Sequence, residues 1–159
     1  MRLLALKILG WAFPIALAGR QMYRQIRRPI KLGVRVLAVN DNQVLLVRHH
    51  GQTDWMLPGG LVGRGESLRS AAIREVREET GCTAEAERLL GIYSSLHEGM
   101  TLHTAVFVCR VTTQPYVYLN METADARFWP MDALPPTRGQ VEQRLAEYAA
   151  GAQGLDSGL

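Results

Sequence analysis

The chain has 159 residues, of which 47% are hydrophobic and 21% charged, and this balance suits one globular domain with a core of its own. Its net charge of +3 is unevenly placed, because residues 1–31 carry seven basic and no acidic side chains while the remainder carries 11 basic and 15 acidic ones. A mildly acidic domain lacks the broad basic face that nucleic acids require, so we expect no nucleic-acid partner.

The N-terminal segment is predicted to be a leader that is separate from the domain. Residues 3–19 are apolar apart from Lys7, and the basic segment RQMYRQIRR follows at residues 20–28. The apolar stretch falls short of the roughly 20 residues of a transmembrane helix, and the dense positive charge after it opposes export and favours a cytoplasmic protein. Two interpretations of residues 3–28 stay open. One is a helix that lies on the inner face of the membrane through its basic flank; the other is a helix that packs on its own domain or on a second copy of the chain in a homodimer.

The two cysteines agree with a reducing compartment. Cys82 and Cys109 lie in apolar surroundings, and they form neither a disulfide framework nor a CxxC metal pair. We therefore predict two buried free thiols.

Strands are predicted where β-branched and apolar residues run between turn signals. The first two, at residues 32–39 and 43–48, flank the turn Asn40–Asn42 and form a hairpin. The segment DWMLPGG at residues 54–60 is predicted to be a short extended piece that stops at its proline and glycines. Further strands are predicted at residues 88–97, 102–112 and 126–130.

The helix predicted over residues Ser67–Thr80 has a charged edge that solvation alone does not require. Ser67 is expected to cap it, and Gly81 is expected to end it in a left-handed conformation. At about 100° per residue, the apolar side forms a buried stripe that consists of Ala72, Ile73 and Val76. An adjacent edge carries three glutamates at i, i+3 and i+4, which are Glu75, Glu78 and Glu79.

A second helix is predicted over residues 138–150, because apolar residues recur there at helical spacing. Strands, one central helix, more strands and a terminal helix indicate an α/β domain with a mixed sheet at residues 32–150. Residues 151–159 are expected to be a flexible tail.

The three glutamates and the preceding loop together indicate a metal site. Like charges on one helix edge repel one another, and although Arg74 can pair with Glu78, a hard divalent cation would relieve more of that repulsion. The loop carries four glycines whose bare backbone can turn tightly and offer carbonyl oxygens to the same ion, namely Gly59, Gly60, Gly63 and Gly65. It lacks the Gly-Lys-Ser/Thr of a phosphate-binding loop and the third glycine of a dinucleotide motif. Metal-bridged phosphate chemistry is therefore the indicated function.

The whole segment resembles the Nudix box, G-x5-E-x7-R-E-U-x-E-E-x-G-U, in which U is apolar. The match covers every fixed position between Gly60 and Cys82, and Cys82 stands where an aliphatic residue is usual. The flanking segments VLLVR, WMLPGG and ARFWPMDALPP also look like the family's surroundings, so the resemblance extends over roughly residues 32–136.

This resemblance implies a Nudix-type α/β/α sandwich with a mixed β-sheet and hydrolysis of a phosphoanhydride bond in a nucleoside diphosphate linked to another moiety. It also implies Mg²⁺ or Mn²⁺ as the cofactor. By motif position, the Gly59 carbonyl would be a metal ligand together with the catalytic acids, which are Glu75, Glu78 and Glu79. The residues that would support the loop–helix unit are Gly60, Glu66, Arg74 and Gly81.

The general base stays open between a glutamate of the box and a loop acid outside it. Glu75 is the candidate within the box. Glu98 and Glu122 are candidates outside it for the base or for an extra ligand, and the alternative for each is a solvated surface role.

Substrate contacts are less well marked. Arg48 follows a strand and is a candidate for binding substrate phosphate. His49 and His50 are candidates for the same contact, with an ordinary surface role as the alternative. Trp55 and Tyr93 are candidates for stacking on a base, with hydrophobic packing as the alternative.

Two kinds of hydrolase are compatible with the resemblance, a nucleoside triphosphate pyrophosphatase and a nucleotide-sugar hydrolase. Two competing interpretations are a nucleotide-sensing module without turnover and a membrane-recruited enzyme acting on a lipid-linked or exported pyrophosphate.

Overall fold

The computed structural model describes residues 30–97, 100–116 and 121–157, so the predicted leader at residues 3–28 and the candidate base Glu98 lie outside the described residues. Among the described residues, no helix is long and apolar enough to cross a membrane. The strands are β1 (Lys31–Asn40), β2 (Gln43–His49), β3 (Ala84–His97), β4 (Met100–Val111), β5 (Thr123–Pro130) and β6 (Leu155–Ser157). The helices are α1 (Leu68–Thr80) and α2 (Val141–Ala149).

The strands form one sheet in the order β5-β2-β1-β4-β3-β6. β1 runs parallel to β4 and β3 runs parallel to β6, whereas the other neighbours are antiparallel. The mixed sheet predicted from the sequence is therefore confirmed.

Side chains alternate along β1 and build a separate core on each face of the sheet. Val34 and Val36 pack in one cluster with Val76 of α1. Leu37 packs on the opposite face with Val141 of α2. One helix thus covers each face, which confirms the predicted α/β/α sandwich.

Helix α1 has both of the predicted ends. The Ser67 hydroxyl accepts a hydrogen bond from Ser70 N at 3.1 Å, a cap that contributes about 1 kcal/mol. Gly81 follows with φ 70°, and its N–H donates to the Arg77 carbonyl at 2.9 Å. A side chain at Gly81 would meet the Tyr116 carbonyl at 2.4 Å, so this position requires glycine for space as well as for conformation.

The predicted buried stripe of α1 is wrong at one residue. Ile73 is 36% exposed, whereas Ala71, Ala72, Val76 and Glu79 are buried. The buried side of α1 is shifted toward the glutamates, compared with the prediction, because the glutamate edge faces the glycine loop. Ile73 therefore lies at the solvent-facing side of the helix.

The strands also differ from the predictions: β4 and β5 begin two and three residues early, at Met100 and Thr123, and the differences are larger at β3 and β6. β3 begins at Ala84, four residues before the predicted start at residue 88, and β-bulges interrupt its pairing with β4 between Ala86 and Gly91. Residues 155–157, which fall in the predicted tail, form β6 and pair with β3. A strand of three residues next to Gly154 has no readable period, so the sequence pattern did not predict it.

Candidate active site

The glycine loop lies in the sheet between β1 and β2. These two strands pair only at their turn end, through Val39 with Val44 and Asn40 with Gln43, and then diverge. The segment 56–61 fills the gap: Met56 pairs with β2, and Val34 N donates to the Gly60 carbonyl at 2.9 Å. The divergence of the hairpin therefore sets the position of the loop next to β1.

The glycines allow two carboxylates of α1 to contact the loop backbone. Gly59 N donates to Glu79 Oε2 at 2.8 Å. A side chain at Gly60 would lie 2.6 Å from Glu75 Oε1, so only a bare backbone admits the Glu75 carboxylate there. Two of the predicted catalytic acids thus lie against two of the four loop glycines.

Arg74 holds together the acids of the loop–helix unit. Its Nε and Nη2 donate to the two oxygens of Glu66 at 2.8 and 3.0 Å. Its Nη1 donates to Glu75 Oε1 at 2.8 Å and to Glu78 Oε2 at 2.9 Å. The guanidinium fork therefore links the loop acid to two acids of α1.

Glu66 is further stabilised in its charged form by this arrangement. The hydrogen bonds from Arg74, followed by the one from Gly63 N at 2.8 Å, lower the pKa of Glu66 to about 2. The same pairing raises the pKa of Arg74 above its ordinary value. Glu66 and Arg74 thus join the loop to α1, and their supporting role in the site stays a prediction.

Glu79 is the most buried of the three glutamates, at 5% exposure. Burial raises its pKa, and the hydrogen bonds from Gly59 N and from His49 Nε2 at 3.0 Å act in the opposite direction. The sequence suggested a phosphate contact or an ordinary surface role for His49, because the strand pattern does not show which side of β2 meets α1.

Arg35 is a site residue that the sequence analysis missed. Its Nη1 donates to the Gly59 carbonyl at 2.7 Å and to the Leu57 carbonyl at 3.2 Å. Burial lowers its pKa, and the nearby charges of Glu79 and Glu75 oppose that shift. The Gly59 carbonyl, the predicted fourth metal ligand, is therefore bonded to Arg35 in this structure, and its role as a ligand stays a prediction. A single arginine inside an otherwise apolar strand was the available signal.

A cavity of about 190 Å³ lies next to Gly59 and Gly60 and is lined by Arg35, His49 and Glu122 among others. Glu122 is one of the two candidate acids outside the box. Its side chain is 74% exposed, and its Oε1 lies 4.0 Å from His49 Nδ1. His49 therefore lies between Glu79 and Glu122 at the edge of this cavity.

The remaining candidates lie elsewhere. Arg48 lies 3.6 Å from Asp125 and over the Trp55 ring, at 5.6 Å from its centroid. Trp55 is buried and packs edge-on against Trp129, which agrees with the packing alternative. Tyr93 lines a different cavity. The role of Arg48 in substrate binding stays a prediction.

The chemistry of the acids suits a hard divalent cation, since carboxylate oxygens are the ligands that Mg²⁺ and Mn²⁺ prefer. In the part of the chain that the structure describes, no three acidic, histidine or cysteine side chains already converge on a metal position. Glu75 and Glu78 are held by Arg74 instead, so an ion that bound them would compete with that guanidinium. The carboxylate donor set therefore fits such an ion in kind, and Glu75 and Glu79 lie against adjacent glycines.

Comparison with known proteins decides the family. The model of the NUDIX domain matches residues 29–149, which are most of the chain. The chain belongs to the NUDIX family. The box segment, the mixed sheet and the covering helices described above are thus those of a Nudix domain.

The relatives of this Nudix chain are named for different substrates. The Bacillus subtilis (strain 168) protein YjhB, provisionally named an ADP-ribose pyrophosphatase, is 34% identical over 110 residues, 67% of this chain and 53% of that protein. The chain thus spans about half of that relative. A provisionally named 8-oxo-dGTP diphosphatase of the same organism is 32% identical over 137 residues, 80% of this chain and 89% of that protein. The crystal structure of a UDP-X diphosphatase matches with a TM-score of 0.70 at 27% identity, covering 87% of this chain and 75% of that one.

Proposed function

We propose that this Nudix chain is a divalent-metal-dependent hydrolase that cleaves a phosphoanhydride bond of a nucleoside diphosphate linked to another moiety. The proposal is carried by the contact between α1 and the glycine loop, in which Gly59 N holds Glu79 while Gly60 leaves room for Glu75. A purely structural helix would not need a buried carboxylate whose desolvation opposes its charge.

Mg²⁺ or Mn²⁺ would be held by Glu75, Glu78 and Glu79, with the Gly59 carbonyl as a further ligand. When bound, the ion would neutralise diphosphate charge and lower the pKa of a bound water. The protein's own part is to hold those acids in place before the ion binds: Arg74 fixes Glu75 and Glu78, and His49 and Gly59 N fix Glu79.

Arg35 supplies a buried positive charge at the wall of the cavity beside Gly59. We infer that this charge orients the diphosphate. The base that takes the proton from the attacking water is assigned to a carboxylate, either Glu75 or one of Glu122 and Glu98. Glutamine variants of Glu122 and Glu98 separate the candidates, because a base outside the metal ligands lowers kcat without weakening metal binding. An unchanged kcat in both variants would leave Glu75 as the base.

Substrate class is tested with a panel of ADP-ribose, ADP-glucose, UDP-glucose and 8-oxo-dGTP, assayed with and without Mg²⁺. We expect Mg²⁺-dependent release of nucleoside monophosphate from at least one of them, and a loss of at least about 100-fold in the Glu79→Gln variant. Glu85→Gln is the matched control, since Glu85 is an exposed acid paired with Arg110 outside the cavity. Absence of turnover on the whole panel would favour the nucleotide-sensing alternative, and turnover without added metal would contradict the proposal.

We also propose that the residues before β1, which begins at Lys31, form a leader separate from the domain. We propose that residues 3–28 of this leader bind the anionic inner face of the membrane and that the domain lies in the cytoplasm. The support is the apolar stretch at 3–19 followed by the basic segment at 20–28. The full chain should float with vesicles that contain anionic lipid and not with neutral ones, and a chain that begins at Lys31 should float with neither. Equal recovery of both chains would favour a leader that packs on protein, with sedimentation then reporting whether a homodimer forms.

A further inference from the structure

Exposed apolar side chains are concentrated at one end of the sheet, the end at which β1 and β4 begin. In the part of the chain that the structure describes, seven large hydrophobic residues are exposed. Two of them lie elsewhere, Ile73 on α1 and Tyr116 beyond the end of β4. The other five define what we call the apolar end: Ile30, Leu32, Leu61, Leu96 and Met121. Single exposed apolar residues are ordinary on a protein surface, whereas such a concentration marks a surface that binds something.

The strand register places these five residues together. Ile30 directly precedes β1, and Leu32 is the second residue of that strand. Leu96 is the last residue but one of β3, and both Leu32 and Leu96 pair with the first four residues of β4. Leu61 pairs with the third residue of β1. Met121 lies two residues before β5, whose first residue pairs with the last residue of β2.

The apolar end borders the cavity beside Gly59. Leu61 is 53% exposed and lines that cavity. Glu122, the chain neighbour of Met121, lines it as well. A surface bound at the apolar end would therefore lie next to the mouth of the candidate active site.

The opposite end of the sheet carries exposed acids. They lie in the β1–β2 turn, in the segment after β5 that is hydrogen-bonded to this turn, and in the first four residues of β3; we call these the acidic end: Asp41, Asp132, Glu85 and Glu87. Arg110 pairs with the last two of them. At the apolar end the exposed acid Glu122 lies beside His49, at 4.0 Å. The domain thus has one apolar and one acidic end.

The leader joins the domain at the apolar end. Residues 3–19 are apolar apart from Lys7, and residues 20–28 carry four arginines, two residues before Ile30. A leader that folded back onto the apolar end would cover apolar surface, but the acids that could pair with its arginines lie at the opposite end. A bilayer with anionic headgroups supplies both an apolar layer for the five side chains and negative charge for the arginines.

We propose that the apolar end is a second membrane contact, at which its five side chains enter an anionic lipid surface next to the leader. The inference rests on the membrane binding proposed above for residues 3–28, and it adds the orientation of the domain. The acidic end points away from the lipid, and the cavity beside Gly59 opens next to the headgroups. The contact adds to the affinity of the leader and does not replace it, so a chain without the leader still floats with neither kind of vesicle.

A fluorescent probe on one exposed cysteine tests this orientation. The full chain carries Leu96→Cys, and the label reacts there because Cys82 and Cys109 are buried; the wild-type chain, treated in the same way, reports any label on those two thiols. Asn42→Cys is the matched control, since Asn42 is also exposed but lies in the β1–β2 turn at the acidic end. Each labelled chain is mixed with vesicles of phosphatidylglycerol and phosphatidylcholine, and neutral acrylamide then quenches the probe from the water.

We expect the vesicles to lower the quenching constant of the probe at position 96 at least about threefold and to leave that at position 42 unchanged. Unchanged quenching at position 96, in a chain that floats with the same vesicles, would overturn the proposal and leave the leader as the anchor. Protection of position 96 before vesicles are added would also overturn it, because the leader or a second copy of the chain would then already cover the apolar end.

Affinity for the same vesicles supplies a second measurement. Leu96→Gln in the full chain should weaken binding roughly tenfold, because it removes apolar surface that the lipid buries. Ile73→Gln is its control, since it replaces an exposed apolar side chain on α1 outside the apolar end. Both changes are at the surface, and thermal unfolding shows that the fold is kept. Equal affinity of Leu96→Gln and the wild type would contradict the contact.

The proposals fail in different ways. A full chain that does not float with anionic vesicles would overturn the leader and the apolar end together, and it would leave the hydrolase activity, which is measured on soluble substrates, unaffected. Protection of position 96 without hydrolysis of any panel substrate would overturn the proposed activity and keep the membrane contact.

Discussion

The substitution Gly59→Ala adds one methyl group at the point where the glycine loop packs most closely against β1. An added Cβ would lie 2.2 Å from the Val34 carbonyl oxygen and 2.9 Å from Arg35 Cα, and Gly59 has φ 144°, which L side chains rarely adopt. Both contacts are with the backbone of β1, which cannot rotate away as the end of a flexible side chain can. The strand or the loop must therefore shift, and the N–H that holds Glu79 shifts with the loop.

The expected loss of stability follows from two terms. Overpacking against fixed atoms costs about 1–3 kcal/mol, and a non-glycine residue in this backbone region costs about 1–3 kcal/mol more. The free energy of unfolding should then fall by roughly 2–6 kcal/mol, which for a domain of this size lowers Tm by about 6–20 °C.

Circular dichroism during heating measures the shift, and Gly65→Ala is the control. Gly65 also has positive φ, at 75°, but nothing lies within 4 Å of an added Cβ, so that variant carries only the left-handed penalty of about 1–2 kcal/mol. If Gly59→Ala unfolded at the same temperature as Gly65→Ala, the close approach of the loop to β1 would be refuted.

Two further predictions concern titratable groups. The folded-state pKa of Glu66, about 2, is below its ordinary 4.5, so its interactions stabilise the fold above pH 4.5 and are lost as the pH falls toward 2. Glu66→Gln should therefore lower the free energy of unfolding in urea more at pH 7 than at pH 3, and an equal loss at both would contradict the pairing with Arg74. Burial raises the pKa of Cys109 to about 12, and Cys82 is also buried, so neither thiol should react with a thiol reagent at pH 8 until the protein is unfolded. Rapid labelling of the native protein would show that the core around them is open.

The parts of the fold that were predictable are those set by nearby residues. The ends of α1 depend on Ser67 and Gly81, which act on the turns next to them, and the spacing from Gly60 to Cys82 identifies the family without any tertiary information. Ile73 was assigned to the core because helical periodicity does not show which edge of an amphipathic helix meets another segment.

The residues that were not predicted depend on contacts between distant parts of the chain. Arg35 meets Gly59 only because the 56–61 segment enters the sheet between β1 and β2. His49 meets Glu79 across 30 residues, and Arg144 meets Tyr93 only when α2 packs on the face opposite α1. A lone basic residue in an apolar strand is the local signal that Arg35 leaves, and it does not identify a partner.

Binding of Mn²⁺, followed by electron paramagnetic resonance of the free ion, tests the metal-holding role of the α1 acids most directly. We predict saturable uptake by the wild type, at least about tenfold weaker uptake by Glu79→Gln, and unchanged uptake by the exposed control Glu85→Gln. Absence of uptake by the wild type, or equal affinity in Glu79→Gln, would contradict the account.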